Sequence, residues 1–295
     1  MFIVGGTSVV NESTVAPTAP APAARRRDPV AKKHSLSVLV VAMNEADRIR
    51  ACLKSVEGLA DEIIVFDGGS SDRTMEICRE FTDRVFAKDW KGDGVQKQRA
   101  LDKATKEWVF RIDADERMSP ELKDEIAGVL NQDTIREVAF RVPWATYCFG
   151  RYLTHGENGT SHWNFFRRKA AHYDRSVVHA TLSLGDGPKG KLRGRLYHDA
   201  NRDYGHLLSK LNDYASGAAA QMNAKGRRGG IARALFHAAW RFIKVYVLRL
   251  GFLDGRRGLM MAILYSQYVF NKYSALWAKR RPGLPDQDDW QPPAP

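Results

Sequence analysis

"WVFRIDADERMSP", Trp108–Pro120, is the stretch that decides how this chain folds. Trp108–Ile112 reads as a buried strand, and Asp113, Asp115 and Glu116 follow within four positions. Carboxylates that close repel one another, and a folding chain gains nothing from gathering them where a strand ends. The spacing therefore points to a positive charge that they meet. Immediately after them, Ser119-Pro120-Glu121-Leu122 starts a helix, with serine at the cap, proline at the first position and glutamate in the first turn. Leu122, Ile126, Val129 and Leu130 recur at helical spacing and face the core.

Upstream the same alternation repeats. Ser37–Ala42, "SVLVVA", is a continuous β-branched run, as expected of a strand buried on both faces of a parallel sheet. Asn44-Glu45 follows, then the helical stripe Ile49, Cys52, Leu53 and Val56. Asp61–Asp67, "DEIIVFD", is a second buried strand; its turn "GGSSD" launches a helix that Ser71 or Asp72 can cap. Arg84–Ala87 is a short third strand and Gly94–Thr105 a helix. The pattern predicts an α/β fold, a Rossmann-like open and mostly parallel sheet, whose ligands bind off the carboxyl ends of the strands. Asn44, Asp67 and Asp113 all lie at such ends. Periodicity weakens between Ala145 and Asn201, then helical patterns return as a C-terminal extension.

Charge divides the chain in two. The 295 residues carry a net +12, and the segment from Lys225 to Arg281 holds thirteen Lys/Arg against one acid, Asp254, which is the whole excess. Such a segment suits a polyanionic partner: acidic lipid, a phosphorylated glycan or nucleic acid. Within it Phe236, Trp240, Ile243, Val247 and Leu250 form one stripe, and "GLMMAILYSQYVFNKYSALW" supplies a second apolar helix. Neither reaches the roughly 20 uninterrupted apolar residues of a membrane span. The N-terminus has no leading positive charge before its apolar residues and is a poor secretory signal. Val15–Lys33 is rich in alanine, proline and basic residues, so residues 1–34 are expected to be disordered. Residues 35–204 then form the sheet domain, 205–281 the basic helical region and 282–295 a mobile tail. Cys52, Cys78 and Cys148 are too few and scattered for a disulfide framework and read as buried thiols.

Three clusters carry chemistry. Mg²⁺ or Mn²⁺ is a hard cation usually held by one or two carboxylates plus substrate phosphate oxygens. A D-x-D turn such as Asp113-Ala114-Asp115 supplies that incomplete cage, and a nucleotide diphosphate completes it. Asp67, with glycines behind it, can accept hydrogen bonds from a ribose or a base edge. In "WKGDGVQKQRAL", Trp90–Leu101, the residues Gln96, Lys97 and Arg99 are placed to reach phosphate or sugar hydroxyls.

Asn44-Glu45, "DGGSSDRT", "GDGVQKQRAL" and "IDADE", in this order and spacing, resemble the family 2 glycosyltransferases of the GT-A fold. "GFLDGRRG" and "YVFNKYSALW" look like the bacterial branch that adds glucose to heptose in the lipopolysaccharide inner core. The similarity runs from about Ser35 to Trp277. It implies an inverting, metal-dependent transfer of a hexose, glucose from UDP-glucose, to a lipid-linked or phosphorylated glycan. The expected setting is the cytoplasmic face of the inner membrane, with the basic region on an anionic surface and Trp240, Tyr246 and Phe252 at the interface. It further implies that Asp67 touches the nucleoside, Asp113 the ribose or diphosphate, and Asp115 the metal, with Asn44, Glu45 and Lys97 in the donor site.

Two departures from that branch stand out. Val178-His179-Ala180 replaces its Val-His-Glu, removing a carboxylate, and "HGENGTSHWNFFRR" replaces a Gly-Trp-Tyr-Pro-Asp stretch. Glu157, in a glycine-flanked loop, is the first substitute base, followed by Asp174 and His179. Two other classes explain parts of the sequence. A catalytically inactive nucleotide-sugar-binding relative accounts for Ala180. A basic nucleic-acid-binding protein accounts for the charge but leaves the acidic strand ends unexplained, so no nucleic acid is expected.

Overall fold

The computed structural model describes residues 32–175, 180–279 and 281. Strands β1 (Leu36–Ala42), β2 (Glu62–Asp67), β3 (Val85–Ala87) and β4 (Trp108–Asp113) lie side by side as β3-β2-β1-β4, all parallel. Helices α1 (Ile49–Val56), α2 (Thr74–Arg79) and α3 (Asp93–Lys103) connect them. The apolar run of β1 is continuous because both faces are covered. Leu36, Val38 and Val40 pack on Ile49, Leu53 and Ile126 on one side, whereas Leu39 joins Ala100, Leu101 and Val109 on the other. Helix α4 (Pro120–Leu130) starts as its sequence predicts, Ser119 Oγ accepting from the Leu122 N–H at 3.1 Å.

Beyond β4 the sheet turns antiparallel. β8 (Ser161–Arg167) pairs with β4 and with the ten-residue β6 (Ala139–Cys148). β6 runs parallel to β12 (Leu196–His198), which pairs with β5 (Glu116–Met118). β7 (Arg151–Leu153) and β11 (Lys189–Lys191) add to β6, and β9 (Ala171–Tyr173) pairs with β10 (Leu182–Leu184) apart from the main sheet. This is where the sequence showed only weak periodicity. Its strands are mostly three residues long, too short for alternation to register.

The described residues begin before Ser35. The His34 N–H donates to Leu130 O at 3.1 Å, His34 Nδ1 lies 2.8 Å from Glu107, and Lys32 pairs with Asp61 at 3.2 Å. The remainder of the expected leader, the tail from Pro282 and His179 lie outside the described residues.

Helices α5 (Tyr204–Ala224), α6 (Ile231–Phe242) and α7 (Gly255–Ala278) follow the last strand. A π-helical turn, Ile243–Leu248, and a 3-10 turn, Gly251–Asp254, separate α6 from α7. A small apolar cluster fastens α5 and α7 to the sheet: Cys148 and Leu153 from β6 and β7, Leu207 from α5, Met261 and Leu264 from α7. Asp254 turns inward and accepts from the Thr154 and His155 N–H groups at 3.2 and 2.9 Å. No helix among the described residues is long and apolar enough to cross a membrane.

Candidate active site

The register of the parallel strands brings three functional segments level. Asp67 stands beside Ala42 across β1 and β2, and Asp113 beside Val41 across β1 and β4. The loop after β1 is braced on the loop after β2. The Asn44 N–H donates to Ser70 Oγ at 2.8 Å, and Asn44 Oδ1 accepts from the Ser71 N–H at 2.9 Å. Asn44 has φ 56°, a left-handed conformation that asparagine tolerates better than most residues. The Glu45 N–H donates to Thr74 Oγ1 at 2.8 Å, and Arg48 Nε donates to the Glu45 carboxylate at 2.7 Å.

Asp67 is fully buried. Its Oδ1 accepts from the Gly69 and Ser70 N–H groups at 2.9 and 2.7 Å, and its Oδ2 from the Ser70 hydroxyl at 2.6 Å. In this structure the carboxylate shapes its own turn. Asp72 Oδ1 accepts from the Thr74 N–H at 2.9 Å, so Asp72, rather than Ser71, holds the start of α2.

At the acidic corner, Asp113 pairs with Arg111 and lies 3.8 Å from Lys97 Nζ. Burial pushes the Asp113 carboxyl up, but Arg111 and Lys97 outweigh it and hold the group well below the usual carboxylate range. Asp115 pairs with His198 Nε2 at 3.4 Å. Burial works against both charges, yet their mutual attraction lowers Asp115 and raises His198. Glu116 is fully buried and accepts from the Asp113 N–H at 2.9 Å through Oε2. Its Oε1 has no partner among the described residues. Burial, then Asp113, pushes the Glu116 carboxyl up, and burial above all raises Glu45, with the Asp115 charge adding to it.

Asp113 and Asp115 remain partly open to solvent, at 32% and 19% of their side-chain surface, while Glu116 is closed off. No group of three or more metal-ligating side chains converges among the described residues. The buried, unpartnered Glu116 oxygen behind Asp113 and Asp115 marks a local excess of acid, the setting for a cation held by one or two carboxylates together with substrate phosphate. Asp113 and Asp115 are the residues that would hold such an ion.

Several contributors carried no sequence signal. His198 ends β12, and its ring lies 4.4 Å from that of Trp144, which in turn lies 4.0 Å from His162. Burial, then the Arg111 charge, pushes His162 down to about 4, so it is neutral. The Asp199 N–H donates to Asp115 O at 2.8 Å, and Arg117 pairs with Asp199 at 2.6 Å, clamping the D-x-D turn from the far side of the sheet. Arg202 reaches Asp47 at 3.0 Å and Asn44 O at 3.3 Å. These partners come together only through pairing of distant segments.

Two cavities flank Trp144. One, of about 540 Å³, is lined by Asp93, Lys97, Arg111, Asp113, His162 and Ala180 among others. Asp93, inside the glycine pair of "KGDG", bonds Lys97 Nζ at 2.8 Å and accepts from the Ala180 N–H at 2.9 Å. Of the trio expected on α3, only Lys97 faces this corner. Gln96 is buried and donates to Asp89 O at 3.3 Å, and Arg99 donates to the same carbonyl at 3.1 Å. Asp174 is also turned to structure. Its Oδ1 accepts from the Thr181 N–H at 3.1 Å, and its carbonyl crowds Gly94, where a Cβ would come within 2.1 Å.

The second cavity, of about 410 Å³, is lined by Glu157, His198, Lys210, Tyr214, Arg241 and Tyr268 among others. Glu157 Oε1 is gripped by Arg249 and by Arg241, the latter at 3.1 Å. The chain thus brings Asn44, Glu45, Asp67, Lys97, Asp113 and Asp115 to one sheet edge, with Glu157 across Trp144 and His198 from them.

Known proteins share this architecture. The family model described as glycosyl transferase family 2 matches residues 37–185, half of the chain. A lipopolysaccharide core biosynthesis glycosyltransferase, LpsC, of Rhizobium meliloti is 28% identical over 270 residues, covering 86% of this chain and 97% of that one. An uncharacterised glycosyltransferase of Rickettsia prowazekii is 28% identical over 253 residues, 82% of this chain and 86% of its own. Among solved structures, the mannosyltransferase PcManGT of Pyrobaculum calidifontis, in complex with GDP-Man and Mn²⁺, superposes with a TM-score of 0.51 at 14% identity, covering 90% and 92% of the two chains. With a parallel sheet whose carboxylates gather at one edge and a family match across that sheet, the chain belongs to the family 2 glycosyltransferases and has the GT-A fold.

Proposed function

We propose that the protein is an inverting, metal-dependent hexosyltransferase that moves a sugar, glucose from UDP-glucose, onto a lipid-linked or phosphorylated glycan of the lipopolysaccharide core type. It works at the cytoplasmic face of the inner membrane as a peripheral protein. The observation that carries this reading is the level placement of Asp67 and Asp113 at the ends of β2 and β4, on either side of β1, with Asp115 two residues on and partly open. The core-glycan acceptor is supported by the likeness to LpsC, which extends over 97% of that protein.

Asn44 and Glu45 line the nucleoside side of the donor, beside the turn that the buried Asp67 shapes through the Gly69 and Ser70 N–H groups. Lys97 and Arg202 supply positive charge toward its diphosphate, and Asp113 and Asp115 hold Mg²⁺ or Mn²⁺. When bound, the cation draws electron density from the departing diphosphate. The acceptor hydroxyl oxygen forms a bond to C1 of the sugar as the C1–O bond to the diphosphate breaks. The nucleoside diphosphate leaves with the bonding pair, and the hydroxyl proton passes to a carboxylate. Glu157 is that carboxylate: the two arginines on Oε1 orient it, and Oε2 receives the proton. A second reading rests on Asp93, which borders the cavity that also holds Lys97, Asp113 and Ala180.

Thermal shift with UDP and Mn²⁺, followed by turnover with a panel of nucleotide sugars, tests the assignment. Asp115→Ala should lose Mn²⁺-dependent donor stabilisation and turnover with its fold intact; unchanged transfer by that variant sinks the metal assignment. Glu157→Gln should lower kcat at least tenfold while donor Kd stays within about twofold. If Asp93→Asn does this instead, the base is Asp93.

A further inference from the structure

Helix α6 is inside out. A surface helix normally turns its apolar stripe to the core and its polar face to water. Here Leu235, Phe236, Trp240, Ile243 and Val247 along α6 and the π-helical turn, with Leu250 just after it, face solvent, Phe236 being 68% and Trp240 51% exposed. The inward face is small and polar. Ala234 is buried, the His237 ring stacks on Tyr273 at 4.6 Å, and Arg241 reaches Glu157. The exposed surface continues through Phe252 in the 3-10 turn and Met260 on α7. Tyr246, by contrast, is half-buried between Phe242 and Phe252. So extended an apolar surface marks an interaction site.

We infer that this ridge is a monotopic membrane anchor: α6 and the following turns lie in the plane of an anionic bilayer with the stripe sunk among the acyl chains. Charge selects this occupant. Lys225, Arg227, Arg228, Arg233, Arg256 and Arg257 of this strongly basic segment are exposed, and its one acid, Asp254, is turned inward against Thr154 and His155. A second copy of the chain would bring one basic surface against another, which like-charge repulsion opposes. An acidic headgroup layer meets both the apolar stripe and its basic surroundings. The inference rests on the proposed acceptor being lipid-borne, and it gives that reading a geometry. Arg241 stands on the anchored helix and lines the cavity that holds Glu157, so docking sets one wall of that cavity at the membrane surface.

The full chain should float with mixed phosphatidylcholine–phosphatidylglycerol vesicles and only weakly with phosphatidylcholine alone. At about 1 M salt, where screening shortens to about 3 Å, part of that binding should persist through the apolar stripe. The double variant Phe236→Glu, Trp240→Glu should lose vesicle binding by tenfold or more and keep the thermal shift with UDP and Mn²⁺. Quenching by brominated lipid that disappears in Trp240→Phe would locate the buried side chain. Absence of flotation, equal flotation of the double variant, or a dimer in sedimentation velocity that this variant dissolves would each overturn the anchor. A chain that floats but turns over no nucleotide sugar would overturn the enzymatic reading and leave the anchor standing.

Discussion

At the scale of single residues, the carboxylates of the site are of two kinds. Asp113 and Asp115 have open surface and cationic neighbours, whereas Asp67 is closed off and saturated by donors from its own turn. Removing Asp67 leaves the Gly69 and Ser70 N–H groups without their acceptor. Asp67→Ala should therefore destabilise the fold by about 1–3 kcal/mol and weaken donor binding through a loosened loop. Denaturant melts compared with UDP affinity check this. A variant of wild-type stability that still loses UDP would show instead that Asp67 acts by direct contact. The D-x-D pair stood out in the sequence through its place after a buried strand, level with the strand ends that carry Asn44 and Asp67. Asp93 did not: a lone acid between two glycines gives no pattern, and its importance comes from lying beside Lys97 and the Ala180 amide.

At the scale of elements, strands and caps follow local rules closely. α1 buries Ile49, Cys52, Leu53 and Val56, the stripe its sequence shows, and α4 keeps its serine cap. Less visible is how β2 is tied at its start. Glu62 accepts from Ser37 Oγ and from the Thr105 N–H and hydroxyl, and pairs with Arg84. Burial raises its carboxyl, but these donors outweigh it and hold Glu62 below its ordinary value of 4.5. A lowered folded-state value contributes stability above the unfolded value, and that stability is lost as pH falls through the folded one. Glu62→Gln should cost about 1–2 kcal/mol at neutral pH, and its deficit should shrink as pH falls below 4.5. Chemical melts of both proteins across that range measure it; a pH-independent deficit would contradict the linkage.

At the scale of the whole molecule, the sheet and the C-terminal helices are joined at the loop Thr154–Asn158. Asp254 holds the Thr154 and His155 amides, the Gly156 N–H donates to Arg249 O at 2.9 Å, and Glu157 pairs with Arg241 and Arg249. Gly156 has φ +63° and packs against Val245, so a side chain there would be strained as well as crowded. The cavity that holds Glu157 thus takes its walls from both parts of the chain. Asp254→Ala should destabilise the protein by about 2–3 kcal/mol and lower turnover while UDP binding, remote from this loop, holds. Calorimetry beside donor titration tests it; a parallel loss of UDP affinity would mean that the two halves are coupled more tightly than these contacts suggest.

The sequence by itself determined the parallel half of the sheet, the shared edge of Asn44, Asp67 and Asp113, and the concentration of positive charge after residue 225. Those features follow from period, cap chemistry and composition, all of which act over a few neighbouring residues. The tertiary structure alone decided that Asp115 meets His198, that Glu157 is gripped by two arginines 84 and 92 positions away, and that the stripe of α6 faces outward. Periodicity shows that a helix has an apolar face, but not which way it points. That depends on what the opposite face must reach, and here it reaches inward to Glu157 and Tyr273.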